Sequence, residues 1–413
     1  MIQSADVSAV SNRDPVTLRR TLTTPLLTLY GLGVTVGAGI YVLVGATTAE
    51  AGLYAPVSFL IAAIVVAFTA FSYAELTTRY PVSAGEAAYV EAGFGLGWLA
   101  TVVGLAVALS GMVSASAIAI GSAAYLNGLI NIPEPVLTVA VVLVMGLIAL
   151  WGITQSVAVA AAITLIEILG LVFVIYWGFT AAEPAGVTPD QVLPPIAGAH
   201  WIGIGAASLL AFFAFVGFED IANVAEEVKD PVRSLPRAIL LTLIIATILY
   251  IGTTAAALFV VPIGQLSESS APLILVFDTA PERIKQGFGA VAIIATINGV
   301  LIQMIMASRV IYGLADRGHL PARLSVLSPV TQTPVAATLL IVAIILILSF
   351  SLPITQLAEW TSQIVLFVFL LVNLALIRLK RMHRPETPHF SVPMIVPVMG
   401  VVTSVGLFLT AFL

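Results

Sequence analysis

The sequence has no cysteine in 413 residues and only four histidines. Disulfides and thiolate metal sites are therefore excluded. The histidines (His200, His319, His383 and His389) never share the spacing that puts two ligands on one helix face, so no helical metal motif is present. Charge is scarce too: Asp, Glu, Lys and Arg make up 9% of the chain, against 60% hydrophobic residues. With a mean hydropathy of +1.11, this is the composition of a polytopic helical membrane protein, not of a soluble domain. A β-barrel would alternate apolar and polar residues in segments of about ten; the apolar runs here are continuous. Met1 to Thr21 is polar and carries Arg13, Arg19 and Arg20, unlike a cleavable signal. No phosphate loop, zinc motif or nucleic-acid patch occurs, and the Gly-rich run after Tyr30 lacks the strand and helix context of a dinucleotide site. The spans also lack the His–Glu or paired Asp arrangement of an intramembrane hydrolase. The expectation is no resident cofactor, no nucleic-acid partner and no enzyme activity.

What is present is a series of eleven apolar runs, at 22–49, 56–79, 96–127, 135–152, 157–181, 201–226, 236–262, 287–315, 334–351, 355–379 and 392–412. The uncharged stretch 135–166 is divided at Trp151-Gly-Ile-Thr-Gln155, where polar and turn-forming residues cluster. With the N-terminus inside, 14 of the 16 basic residues fall on inner segments, and only Arg283 and Lys285 fall outside. The 183–200 loop holds Glu183 and Asp190 but no Lys or Arg. This asymmetry predicts a cytoplasmic N-terminus, and the odd span count an outer C-terminus.

Two of the runs are interrupted. The first contains Gly33, Gly37-Ala38-Gly39 and Gly45; the sixth contains Phe215-Val216-Gly217, with Glu219 and Asp220 close behind. Glycine costs about 1 kcal/mol against alanine inside a helix, and unwound backbone survives in a bilayer only where protein buries it or a cavity wets it. Five spans per half make the halves inverted, each opening on a broken helix, which places a transporter site between them. The expected units are a cytoplasmic segment 1–21, a first repeat 22–181, a second repeat 201–381 and an additional span 392–412. The plain alternative is small-xxx-small helix packing, whose spacing Gly33 and Gly37 fit.

Four segments resemble the amino acid–polyamine–organocation superfamily: Gly31-Leu-Gly-Val-Thr-Val-Gly-Ala-Gly-Ile-Tyr41, Phe212-Phe-Ala-Phe-Val-Gly-Phe-Glu-Asp220, Ala225-Glu-Glu-Val-Lys-Asp-Pro-Val-Arg-Ser-Leu-Pro-Arg237 and Ser308-Arg-Val-Ile-Tyr-Gly-Leu-Ala-Asp-Arg-Gly-His-Leu-Pro321. The likeness covers about spans 1 to 10 and is nearest in flavour to bacterial relatives of cationic amino acid transporters. It implies an all-α integral membrane protein with the leucine-transporter-type five-plus-five inverted-repeat fold. It also implies alternating access and residence in a bacterial-type cytoplasmic membrane. Many relatives have twelve spans, whereas eleven are expected here.

The broken helices suit a zwitterion. Free N–H groups opening a half-helix bind a carboxylate, and free carbonyls closing the preceding half bind an ammonium. Gly37, Ala38 and Gly39 would offer the amides; Thr35, Phe213, Ala214 and Val216 would offer the carbonyls. The resemblance assigns the same positions. It makes Phe213 a gating aromatic, although a phenylalanine in such a run is also an ordinary core or lipid-facing residue. It places Gln303 where some relatives have an aromatic on the substrate. Glu219 suits a cap for the second half-helix better than substrate contact.

Glu167 lies deep in span 5, where a carboxylate costs about 2.5–3.5 kcal/mol. Proton-coupled relatives place a lysine there. Three readings stand: a carboxyl that loads and unloads the coupling proton, a structural carboxyl bonded to span 1, or a counter-ion for a cationic substrate. Thr296 and Asn298 in span 8 could face it, or could be interhelical hydrogen-bond glue. Opposite charges on the inner loops (Arg79, Glu86 and Glu91; Lys229, Asp230, Arg233 and Arg237) could form a latch or a solvated face.

The leading function is secondary transport of an amino acid, by proton coupling or exchange, with the substrate and the lipid bilayer as partners. A polyamine or small-amine carrier is the alternative, and a channel or membrane enzyme a third class. The sequence carries no signature of oligomeric state. A reporter active only in the cytoplasm, fused after Leu413, should be silent; a strong signal would mean a miscounted span, most simply within 135–181.

Overall fold

In a bilayer core every backbone N–H and C=O needs an internal partner, so a chain this apolar resolves into helices. The computed structural model describes residues 20, 22–81, 85–151, 157–180, 185–196, 198–382 and 389–412. The N-terminal arginines Arg13 and Arg19, the turn 152–155, Glu183, His383, Arg384 and Leu413 lie outside the described residues.

The first half contains α1 (Thr24–Thr35), α2 (Ala38–Ala51), α3 (Ala55–Arg79), α4 (Gly85–Phe94), α5 (Gly97–Ile130), α6 (Glu134–Trp151) and α7 (Val157–Thr180). The second contains α8 (His200–Phe213), α9 (Pro231–Val260), α10 (Ile263–Glu268), α11 (Glu282–Asp316), α12 (Val335–Ser351) and α13 (Ile354–Met382), and α14 (Ile395–Leu409) follows. Among the described residues nine helical stretches are long and apolar enough to cross a membrane. One of them, Gly39–Arg79, holds both α2 and α3. The chain reverses between these two at Gly52, whose φ is +56°. The 17-residue α12 is slightly shorter than the nine. The fold is all-α, of the membrane transporter kind; the single β-bridge among the described residues is parallel, Leu22 to Val228.

Local sequence explains most boundaries. Pro25, Pro56 and Pro231 open α1, α3 and α9, where a missing N–H costs nothing. Asn131 closes α5 in the left-handed conformation, φ 50°, a position asparagine tolerates. Three departures from the sequence reading appear. The short helix α4 occupies what reads as an inner loop. Span 7 begins five residues early, at Pro231. The segment after the span 6 break, Phe218–Glu227, is a 3-10 helix rather than an α-helix. It nevertheless presents an apolar face, with Phe218, Ile221, Ala222 and Ala225 buried.

Helix α5 is the most enclosed: 72% of its apolar window is buried, against 22% for α14, so α5 forms the centre and α14 the rim. It packs against α11 and α13, and serines and alanines from Ser114 to Ala119 let those neighbours approach. Around it α1 packs on α9 and α7, and α2 on α8.

A buried charge cluster ties α3 to α13 and to the strand-like entry of α14. Glu75 is fully buried. It pairs with Arg79 one turn on, while Lys380 Nζ lies 2.6 Å from its Oε2. The backbone N–H of Val392 donates to the same oxygen at 2.8 Å, and Lys380 also donates to the Val392 carbonyl at 2.6 Å. Nearby, the Asn373 amide donates to Thr69 Oγ1 at 2.9 Å and accepts from Ser72 Oγ at 2.7 Å. The inner-loop charges do not pair with each other across loops among the described residues. Arg79 turns to Glu75, and Arg233 makes only an exposed 3.9 Å contact with Asp230. Removing a single partner from a buried pair costs about 3–5 kcal/mol. Glu75→Ala should therefore lower the apparent Tm of the purified protein markedly; an unchanged Tm would show that the cluster is not structural.

Candidate functional site

Helix α1 ends at Thr35, Val36 caps it by donating its N–H to Leu32 O at 2.7 Å, and Gly37 is the N-cap of α2. The first N–H groups of α2 thus have no acceptor within their own helix. The second break follows Phe213. There Ala214, Phe215 and Val216 tighten into 3-10 bonds to Ala211, Phe212 and Phe213 carbonyls at 3.1, 2.9 and 3.1 Å. Gly217 then turns the chain with φ +120°.

The two breaks cross in contact. A Cβ placed on Gly39 would lie 2.5 Å from Ala214 Cα, and one on Gly217 would lie 2.8 Å from Val34 Cγ1. Gly39 is therefore glycine first because the other break occupies its side-chain space. Room for a ligand is not what the missing side chain supplies. Gly217 needs both the left-handed backbone and the space. Gly33 differs: its missing Cβ is filled by the Thr164 side chain, which is packing. Tyr250 of α9 stands behind the crossing. Its hydroxyl lies 2.7 Å from both the Thr35 and Ala214 carbonyls, and its one proton serves one of them at a time.

A narrow cavity of about 20 Å³ lies beside the crossing, room for about one water molecule. Of the residues expected to bind substrate, Thr35, Gly39, Phe213, Val216 and Gln303 line it; Gly37, Ala38 and Ala214 are not among its lining residues. The side chain of Ala38 lies outside the described residues. The Thr35 hydroxyl is buried with no hydrogen-bond partner, and Ser114 of α5 adds a second hydroxyl to the wall.

Glu167 is fully buried and is not part of this lining. Its Oε1 accepts from Asn298 Nδ2 at 3.3 Å, and its Oε2 has no partner. Its backbone carbonyl accepts from the Tyr41 hydroxyl at 3.0 Å, and the Tyr41 carbonyl accepts from the Tyr125 hydroxyl at 2.6 Å. Glu167 is thereby linked to α2 just beyond the first break. Thr296 makes no bond to it: its hydroxyl bonds back to Ala292 O at 2.9 Å in its own helix, the local satisfaction open to any helical threonine. Glu219 Oε2 accepts from the Gly217 N–H at 2.8 Å, so its carboxylate sits at the N-terminus of the 3-10 segment.

A second cavity, about 20 Å³, shares Val216 and Gln303 with the first and reaches α4, with Tyr73, Glu86, Glu219 and Asp220 in its wall. Burial holds the Glu86 carboxyl above the usual carboxylate range, partly offset by bonds from its own backbone and from Tyr73. Sequence reasoning missed Tyr250, Tyr41, Tyr125, Ser114 and the role of Glu86. A mid-span tyrosine or serine carries no local mark of what it faces.

Residues 22–413 match the family described as amino acid permease. The chain is 31% identical to the branched-chain amino acid permease BcaP of Bacillus subtilis, over 95% of this chain and 88% of that protein. It is 33% identical to the vacuolar cationic amino acid transporter 4 of Arabidopsis thaliana, over 92% of this chain and 66% of that protein, a little under two thirds of its length. It is 26% identical to the methylthioribose transporter of Bacillus subtilis, over 94% and 87%. With crossing helix breaks, a central cavity and a match along nearly its whole length, the chain belongs to the amino acid permease family of the amino acid–polyamine–organocation superfamily.

Proposed function

We propose that this protein is a secondary carrier that moves a free amino acid across a bacterial-type cytoplasmic membrane by alternating access between two inverted repeats. The observation that carries the reading is the crossing of the two breaks at the edge of one cavity. The amides opening α2 there receive the substrate carboxylate, aided by the positive end of the helix. The Thr35, Phe213, Ala214 and Val216 carbonyls face the ammonium. Two of these already lie within hydrogen-bond distance of the Tyr250 hydroxyl, and the Phe213 carbonyl accepts from Val216. Each carbonyl keeps a second lone pair. Phe213 closes over the ligand. The relatives' names span branched-chain and cationic amino acids and methylthioribose, so homology leaves the side chain open.

A panel of L-amino acids tested against the amines left when each loses its carboxylate, such as L-norleucine and pentylamine, separates the readings. Acids that bind should raise the apparent Tm, since a ligand held only by the folded state stabilises it, and their amines should not. Stabilisation by the amines alone would favour an amine carrier. Gly39→Ala should abolish the shift and cost about 1–3 kcal/mol of stability through overpacking on Ala214. Thr35→Val removes an unpartnered hydroxyl and should leave the unliganded Tm intact while weakening binding about tenfold.

Glu167 carries the coupling proton in this reading. Its support is a carboxyl with one oxygen oriented by Asn298 and the other unpartnered. Glu167→Gln keeps an acceptor for Asn298 but has no proton to release. That variant should bind and exchange substrate yet fail to accumulate it down a pH gradient in proteoliposomes. Persistent accumulation would make Glu167 structural, and lost binding would place it in the substrate site or in the support of α2.

A further inference from the structure

Three buried polar side chains meet at the first cavity with nothing to bond. Thr35 of α1, Ser114 of α5 and Gln303 of α11 are 3%, 3% and 5% exposed and line the same space. The Thr35 hydroxyl has no partner, and neither Ser114 nor Gln303 makes a hydrogen bond among the described residues. Helical serines ordinarily settle on a carbonyl of their own helix. Ser110 and Ser116 of α5 do so, at 2.8 Å to the Val107 and Met112 carbonyls. Ser114, between them, does not. A Cβ on Gly111 would lie 3.3 Å from Gln303 Oε1, so the Gln303 amide rests on α5 one turn before Ser114.

Buried polar groups without partners cost free energy unless something arrives to meet them. Three such groups in one wall call for a polar occupant. The space limits its polar part to about the size of one water molecule. No charged side chain lines this cavity, so the occupant's group here is neutral. Val34, Ile118 and Ile302 supply apolar wall and no further partners. Two hydroxyls and an amide together supply donors and acceptors for one more hydroxyl.

We infer that Thr35, Ser114 and Gln303 read the side-chain hydroxyl of a serine-type amino acid, which takes the place that a single water fits, while the α-carboxylate and α-ammonium lie on the neighbouring helix breaks. Gly39 and Thr35 belong to those breaks and border the same cavity, so the hydroxyl is within reach of an α-carbon held at the crossing. An apolar side chain of the same size would displace the water and return none of its hydrogen bonds. A site built to bond a hydroxyl rejects the analogue without one, because its own buried groups are left unmatched. The inference rests on the amino acid reading above and adds to it the side chain that the site selects.

The test is equilibrium binding to the purified full chain of L-serine and of L-2-aminobutyrate, in which a methyl replaces the hydroxyl. Wild-type protein should bind serine at least about tenfold more tightly, the difference of roughly one hydrogen bond left unmet. Ser114→Ala and Gln303→Leu, made separately, should each remove most of that preference by weakening serine more than 2-aminobutyrate. A purely structural role would weaken both ligands alike and keep their ratio. The two substitutions lie on different helices, so a folding defect in one variant leaves the other to report. Binding of 2-aminobutyrate as tight as serine in the wild type would overturn the hydroxyl site while the amino acid reading stands. So would a serine preference that survives both substitutions, or binding confined to amino acids other than serine. Binding of no amino acid at all would overturn both.

Discussion

The contact on which the rest of the structure depends is the crossing of two interrupted helices. Gly39 lies against Ala214, Gly217 lies against Val34, and the Tyr250 hydroxyl sits between the carbonyls that the two interruptions release. An interruption in a bilayer exposes backbone groups whose desolvation costs several kcal/mol each. Two interruptions placed together share one remedy. Each glycine lets the other chain approach, and one phenol hydroxyl reaches both sides. The remedy is incomplete at the N-terminus of α2 and at the Thr35 hydroxyl, and both lie where the cavity opens. The least satisfied part of the membrane core is thus the place where the cavity opens.

This also explains what the sequence could tell. The spans were legible because a bilayer imposes a length and an apolarity that few residues can break. The breaks were legible because glycine clusters are costly in helices and have few other uses at that depth. The partners of the breaks were not. Tyr250 sits in an apolar run with nothing local to distinguish it, and it acts across 215 positions from Thr35 and 36 from Ala214. Gly33 and Gly37 fit one packing pattern in sequence, yet the Cβ space of Gly33 is filled by Thr164 while a Cβ on Gly37 would meet nothing closer than 3.8 Å. Glu86 reads as a loop acid because α4 is too short and too polar to announce itself. Thr296 and Asn298 look alike as polar midspan residues. Only the tertiary arrangement separates Asn298, on Glu167, from Thr296, bonded to its own helix.

Acidic residues at depth sort by how fully their surroundings meet them. Glu75 has Arg79, Lys380 and a backbone N–H, and it joins three segments. Glu167 has one amide on one oxygen and nothing on the other. Its unpartnered oxygen sets it apart from Glu75. Glu86, Glu219 and Asp220 have neutral donors only. The three environments lie within one chain and use the same side-chain chemistry, so what distinguishes them is the set of donors each carboxyl is given.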